Sequence, residues 1–159
     1  PVLMGFPDGR LVADAALIEA LRALVRDAAP DLVVTHAPND YHADHRALSA
    51  AIGQAAGFAA PVLWMDTMGG TGFVPTHWVE VTAHWAAKEA AIRCHASQTP
   101  GRFVASAGRQ AAFRAGEANG PPEARAEAFR FEPRFPFADL RALLPPPPPL
   151  RRVILAIAR

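Results

Sequence analysis

Two histidines and two aspartates lie within six residues of one another in the stretch "NDYHADHR", as Asp40, His42, Asp44 and His45. A neutral imidazole is a common zinc ligand, and a neighbouring carboxylate fixes its tautomer. A histidine that donates a hydrogen bond can also stabilise negative charge that develops on an oxygen. These residue types are compatible with a metal site or a catalytic site, and also with helix caps and solvated surface, so spacing alone does not decide among them.

The stretch lies between an apolar run and an alanine-rich helical pattern. The run "DLVVTHAP" has the composition of a short buried strand, and "HRALSAAIGQAAGFAA" has the composition of a helix. Ligands of α/β sheets bind beyond the carboxyl ends of the strands. We therefore expect a site at this corner, with His42 and His45 close together on the first turn of a helix that begins near Ala43.

The rest of the chain alternates between helical and strand patterns. Strands are predicted in "PVLWMDT" and "HWVEV", and helices in "RLVADAALIEALRALVRDAAP", "TAHWAAKEAAIRCHASQ", "FVASAGRQAAFRAGEA" and "PEARAEAFRF". This alternation predicts an α/β, Rossmann-like fold with a largely parallel sheet and flanking helices. The predicted domain covers residues 1–135, and a Pro-rich tail with an apolar terminal segment covers residues 136–159.

Composition limits the class of protein. The 159 residues are 51% hydrophobic and 19% charged, with a formal net charge of +1, which argues against a disordered acidic chain and against a strongly basic nucleic-acid binder. The single cysteine, Cys94, is compatible with a reducing compartment. No long apolar window and no signal-peptide pattern is present, so we expect a cytoplasmic protein without a membrane span.

The motif resembles the P-x-D-x-H-x-D-H-R motif of the LmbE-like, or PIG-L, family of zinc-dependent N-acetylglucosamine deacetylases. Four other stretches agree with that family in order: "GFPDGRL", "WMDTMGGTGFVPTHWVEVT", "KEAAIRCHASQ" and "AEAFR". The resemblance covers residues 1–130 and leaves the tail uncovered. It implies a hydrolase that uses Zn2+, or another divalent metal, to remove the N-acetyl group from an N-acetylglucosaminyl or related amino-sugar conjugate.

The resemblance also implies roles for matching residues. His45 aligns with a zinc ligand, and His42 with the histidine that stabilises the tetrahedral intermediate or protonates the leaving amine. Asp44 aligns with the carboxylate that orients and charges that histidine, and Asp40 is expected to face the pocket in a supporting or substrate-contacting role. Three further residues are expected to contact the substrate: Asp8, Arg10 and Arg46.

One departure from the family pattern is serious. Family members carry an N-terminal A-H-P-D-D-E motif that supplies two zinc ligands and the general base, and this sequence has no such motif. A catalytic zinc site needs about three protein ligands, and this chain offers one that matches the family. We therefore expect the C-terminal portion of a longer deacetylase, without its N-terminal strands and inactive alone. Such a chain is expected to associate with the missing segment or with itself as a homo-oligomer.

Two other functions are compatible with the residues. A His-x-Asp-His cluster also suits a phosphoesterase, although the region around the motif has no basic phosphate cradle. The chain could instead be a non-catalytic fragment or interaction module derived from the same family. Among the histidines outside the motif, His36 at the end of its strand could approach the site, but a buried and hydrogen-bonded role is favoured for it. Structural roles are expected for His77 and His84, and His95 is expected to pack or cap.

Overall fold

The computed structural model describes residues 1–145 and residue 148. This part of the chain divides into two compact units, one built from Pro1–His77 and Phe129–Leu144, and the other from Trp78–Ala128 together with Pro145 and Pro148. The apolar end of the predicted tail lies outside the described residues. The predicted domain boundary near residue 135 stays a prediction.

Two helices pack against each other in the first unit, α1 (Ala15–Ala28) and α2 (Ala43–Ala56). Asp14 caps α1, because its carboxylate accepts a hydrogen bond from the Leu17 amide at 3.0 Å. Apolar side chains at helical spacing on both helices form one buried cluster: Leu17, Leu21, Val25, Ala51, Ile52 and Ala55. Both helices were predicted, α1 from its apolar spacing and α2 from its alanine-rich pattern, and α2 begins beside the motif.

The strands are β1 (Val33–Thr35), β2 (Val62–Met65), β3 (His77–Glu80) and β4 (Ala126–Phe131), and they form a sheet in the order β1-β2-β4-β3. The pairing of β1 with β2 is parallel, and the pairing of β2 with β4 is antiparallel. The predicted α/β class is confirmed, but the sheet is mixed where a largely parallel sheet was predicted. The apolar pattern of a strand indicates its burial and not the direction of its neighbour, so this reversal is not visible in the sequence.

The segment "PEARAEAFRF" was predicted to be helical, and this prediction is wrong, because its second half forms β4. Alanine, glutamate and arginine favour helices, which explains the prediction. The strand buries Ala126, Ala128 and Phe131 while the residues between them are half-buried. Pairing with β2, where Phe131 lies opposite Leu63, outweighs the local helix propensity.

The second unit contains two helices that the sequence predicted, α3 (Trp85–Arg93) and α4 (Pro100–Glu117). Its small core joins Ala115 of α4 to Ala124 and Ala126. Arg114 is only 3% exposed and donates a hydrogen bond to the Glu117 carboxylate at 2.7 Å, which compensates for burying its charge. None of the helices in residues 1–145 combines the length and apolar character that a membrane span requires.

Candidate active site

The motif lies where two strands of the first unit end. Strand β1 ends at Thr35 and helix α2 begins at Ala43, so the motif loop follows the carboxyl end of β1. Asn39 in this loop donates a hydrogen bond from Nδ2 to the carbonyl of Gly72 at 2.6 Å, which joins it to the loop after β2. Gly72 has φ +65°, a conformation that favours glycine. The motif therefore occupies the sheet edge where α/β folds bind ligands.

Asp40 holds the motif loop in shape. It is only 6% exposed, and its Oδ1 accepts hydrogen bonds from the amide of His42 at 2.9 Å and from Nδ1 of His45 at 3.0 Å. Nη1 of Arg46 donates to the main-chain carbonyls of Asp40 and Tyr41, both at 2.8 Å. A buried carboxylate is costly unless it is hydrogen-bonded in this way. Asp40 thus sets both the entry into α2 and the orientation of the His45 ring.

The rings of His42 and His45 use Nδ1 in opposite ways, His42 as a hydrogen-bond acceptor and His45 as a donor. An ionised carboxylate can only accept, so Nδ1 of His45 carries the hydrogen and Nε2 of the neutral ring keeps its lone pair. Nδ1 of His42 accepts a hydrogen bond from the Asp44 amide at 3.2 Å, so the hydrogen of the neutral His42 ring is on Nε2. The two ring centroids are 4.7 Å apart. One histidine therefore offers a metal ligand and the other a hydrogen-bond donor.

The carboxylate of Asp44 pins an earlier turn to helix α2. Its oxygens accept hydrogen bonds from the amide of Gly9 at 2.6 Å and from the amide of Leu11 at 3.1 Å. The contact that Asp44 makes with the ring of His42 comes from its main-chain nitrogen. The expectation that its carboxylate orients and charges His42 stays a prediction, and the geometry gives that carboxylate an anchoring role.

The residues expected to contact the substrate differ in their surroundings. Asp8 and Arg10 are exposed on the turn that Asp44 pins, beside the motif helix. Arg46 is also exposed, but its Nη1 is bound to the carbonyls of the motif loop. The turn thus brings Asp8 and Arg10 to the motif, and Arg46 supports the loop.

His36 lies against the motif, a position that its place at the strand end allowed but that was not the favoured expectation. Its half-buried ring stacks on the ring of His45, with centroids 3.8 Å apart and an interplanar angle of 16°. Its Nδ1 is buried without a hydrogen-bond partner among the described residues, so the predicted hydrogen-bonded role is wrong for this atom. Burial lowers the pKa of His36, and the nearby His45 lowers it further. Its position at the end of β1, next to the motif loop, was the available signal.

The residues present fit one ligand position of a zinc site. Metal-binding histidines usually donate their second ring nitrogen to a carboxylate or carbonyl, as His45 donates to Asp40. Among residues 1–145 and 148, no group of three or more His, Cys, Asp or Glu side chains is arranged to hold a metal ion. The described residues thus supply one oriented candidate ligand, His45, and not a complete set of zinc ligands.

Comparison with known proteins relates the motif-bearing part of the chain to one family. Residues 1–56 match the PIG-L family model, described as GlcNAc-PI de-N-acetylase. This range contains the motif and the turn that Asp44 pins to it. No curated protein matches the chain significantly.

Solved structures share the fold. The conserved protein TT1542 from Thermus thermophilus is 25% identical with a TM-score of 0.66, over 86% of this chain and 65% of that protein. GalB, the 4-carboxy-2-hydroxymuconate hydratase from Pseudomonas putida KT2440, is 23% identical with a TM-score of 0.56, over 76% of this chain and 60% of that protein. The chain therefore spans less than two thirds of the length of either protein. Its first 56 residues match the PIG-L family, and its fold is that of these two structures.

Proposed function

We propose that this chain carries part of the active site of a zinc-dependent hydrolase that removes the N-acetyl group from an amino-sugar conjugate. The observation that carries the proposal is the pair of different Nδ1 contacts in adjacent rings, with Nδ1 of His45 on the Asp40 carboxylate and Nδ1 of His42 on the Asp44 amide. From these contacts we infer a lone pair on Nε2 of a neutral His45 and a hydrogen on Nε2 of a neutral His42. Amide hydrolysis at a metal needs both a ligand imidazole and a donor for the developing oxyanion. The match of residues 1–56 to a de-N-acetylase family supports the same reaction.

His45 would hold the zinc ion through Nε2, with Asp40 fixing the ring from the opposite side. A zinc ion bound there would supply Lewis-acid chemistry and a water of lowered pKa. The other ligands and the general base belong, in the resembling family, to the A-H-P-D-D-E motif. The proposed enzyme is therefore a protein in which this chain and those residues act together.

His42 would act on the scissile amide itself. Water adds its oxygen to the acetyl carbon, the carbon–nitrogen bond breaks, and the products are acetate and a free amine that has gained a proton. Nε2–H of His42 would donate to the carbonyl oxygen as negative charge develops there. One such donor contributes about 100-fold to 1,000-fold in turnover.

An amino-sugar substrate suits the surroundings of the two histidines. Tyr41 is 64% exposed, and its ring stands edge-on to His42 and His45 with centroids 6.2 and 6.1 Å away. An exposed aromatic ring offers an apolar surface and a hydroxyl to a sugar. Asp8 and Arg10 add polar groups on the turn beside α2.

The test uses the protein expressed from its whole reading frame, with zinc measured by elemental analysis and acetate release measured on N-acetylglucosaminyl substrates. We expect His45→Ala to lose zinc and turnover together. His42→Ala should keep zinc and lose about 100-fold to 1,000-fold in turnover. Asp40→Asn should weaken zinc binding by about 10-fold to 100-fold, because it removes the carboxylate behind the ligand.

His84→Ala serves as the control, since His84 is exposed and ends a short turn before α3. It should retain both zinc and activity. Loss of zinc in His42→Ala with retention in His45→Ala would reverse the two roles. If the unmodified protein neither binds zinc nor releases acetate, the proposal fails and the non-catalytic module is favoured.

A further inference from the structure

The ring of His36 covers one face of the predicted zinc ligand. Its centroid is 3.8 Å from that of His45, and the two planes differ by only 16°. The residues on either side of His36 are buried, with Thr35 5% exposed and Ala37 1% exposed. The backbone that carries His36 is therefore anchored in the core of the first unit, and the His36 ring lies flat against His45.

His45 needs such a surface. Its ring is tethered by the Cβ–Cγ bond and by the hydrogen bond from Nδ1 to Asp40, and rotation about Cβ–Cγ would break that hydrogen bond. A stacked neighbour restricts this rotation because tilting the ring loses contact across its whole face. The ring of His42 is tilted by 34° at 4.7 Å, so it does not provide an equivalent stacking surface.

We propose that His36 is a positioning residue that keeps the ring of His45 in the orientation in which Nδ1 donates to Asp40 and Nε2 is left free for a ligand. The stacked ring would restrict rotation while Asp40 fixes the protonated edge. The role as support for a zinc ligand rests on the proposed function, whereas the stacking itself does not. His36 would act through His45 and would not touch the substrate.

The flat ring of His36, and not its Nδ1, is the group that this role requires. Nδ1 is buried and has no hydrogen-bond partner among the described residues. A phenyl ring should therefore replace the imidazole with its stacking intact, while a branched aliphatic side chain of similar size should not. This difference separates positioning by stacking from a hydrogen-bonding role of His36.

The experiment records long-range proton–nitrogen NMR spectra of the full chain labelled with 15N-histidine, without metal or substrate. These spectra distinguish a protonated ring nitrogen from one with a free lone pair. In the unmodified chain we expect His45 to show a protonated Nδ1, an unprotonated Nε2, and nuclear Overhauser contacts with the His36 ring. His36→Phe should keep this pattern, and His36→Leu should replace it with averaged signals from both tautomers.

His77→Leu is the matched control, because His77 is another half-buried histidine of the first unit whose ring contacts Phe131. It should leave the His45 signals unchanged. A single His45 tautomer in His36→Leu would overturn the proposal, as would averaged signals in His36→Phe. Should His36→Leu fail to fold, the pattern in His36→Phe and the ring contacts in the unmodified chain decide the question.

This measurement can fail independently of the proposed function. If His36→Phe keeps and His36→Leu loses the tautomer pattern while the protein releases no acetate, His36 positions His45 and the deacetylase proposal is discarded. If acetate is released and the His45 signals do not respond to either variant, the deacetylase proposal stands and the positioning role is discarded.

Discussion

His77 is half-buried at the start of β3, and its ring packs edge-on against the ring of Phe131 with the centroids 6.2 Å apart. Burial lowers its pKa from the ordinary value of 6.5, and Arg141 adds to this effect while Asp139 opposes it. The unfolded chain therefore binds a proton at His77 more readily than the folded chain does. Well above pH 6.5, His77 is neutral in both states and its ionisation does not change the free energy of unfolding. As the pH falls from 6.5 through the lower folded-state pKa, protonation of the unfolded chain reduces that free energy.

We expect the unmodified chain to lose unfolding free energy between about pH 7.5 and about pH 5, and His77→Phe to lose less over the same interval. The measurement is urea unfolding at both pH values, with the phenyl ring preserving the contact with Phe131. Part of the loss should persist in the variant, since the pKa of His36 is lowered as well. An NMR titration that places the folded-state pKa of His77 at or above 6.5 would contradict the prediction.

Some contacts of the site residues follow from the local sequence, and others depend on residues far away in the chain. The proximity of His42 and His45 follows from their spacing on one helical turn, and the sequence predicts it. The stacking of His36 on His45 depends on where the end of β1 meets α2, which no local pattern encodes. The partners of the Asp44 carboxylate lie 33 and 35 residues earlier in the chain, so they too could not be predicted.

Helix α2 anchors the turn that carries Asp8 and Arg10 through the carboxylate of Asp44, which binds the amides of Gly9 and Leu11. We expect Asp44→Ala to release this turn. Amide hydrogen exchange at Gly9 and Leu11 should become faster by about tenfold or more, since a hydrogen bond to a charged group contributes about 1.5–3 kcal/mol. The body of α2 should keep its protection, because its packing against α1 does not involve Asp44.

Asp31→Ala is the control for this change, since Asp31 is an exposed aspartate in the loop that precedes β1. It should leave exchange at Gly9 and Leu11 unaltered. Equal protection of the two amides in Asp44→Ala and in the unmodified chain would mean that the turn is held by other contacts. The turn would then not depend on the motif for its position.

Elements were predictable where their stabilising contacts are local. The apolar faces of α1 and α2 can be identified from spacing alone, and both helices were predicted. Strand β4 was predicted to be helical because its alanines and charged residues suit a helix. In the sheet it lies between β2 and β3, and helices α3 and α4 separate it from both strands in the sequence. The antiparallel direction of the pairing between β2 and β4 likewise depends on residues outside the β4 segment.

At the scale of the whole molecule, β1 lies at one edge of the sheet that the described residues form, because the strand order begins with β1 and its neighbour is β2. Val34 in the middle of β1 is 48% exposed. Apolar edge strands with free main-chain groups pair with other chains, and natural proteins often protect such edges with lysine. This edge lies beside the residues of the candidate site, since His36 directly follows β1.

We expect the chain to self-associate as its concentration rises, and Val34→Lys to weaken this association by about tenfold or more, a loss of about 1.4 kcal/mol. The measurement is sedimentation velocity over a concentration series. Val12→Lys provides the matched control, because Val12 is 64% exposed in the same unit and belongs to no strand. An equal effect of both substitutions would attribute association to exposed apolar surface in general. A chain that stays monomeric at every concentration would show that the edge of β1 does not template pairing, and would contradict the expectation of a homo-oligomer.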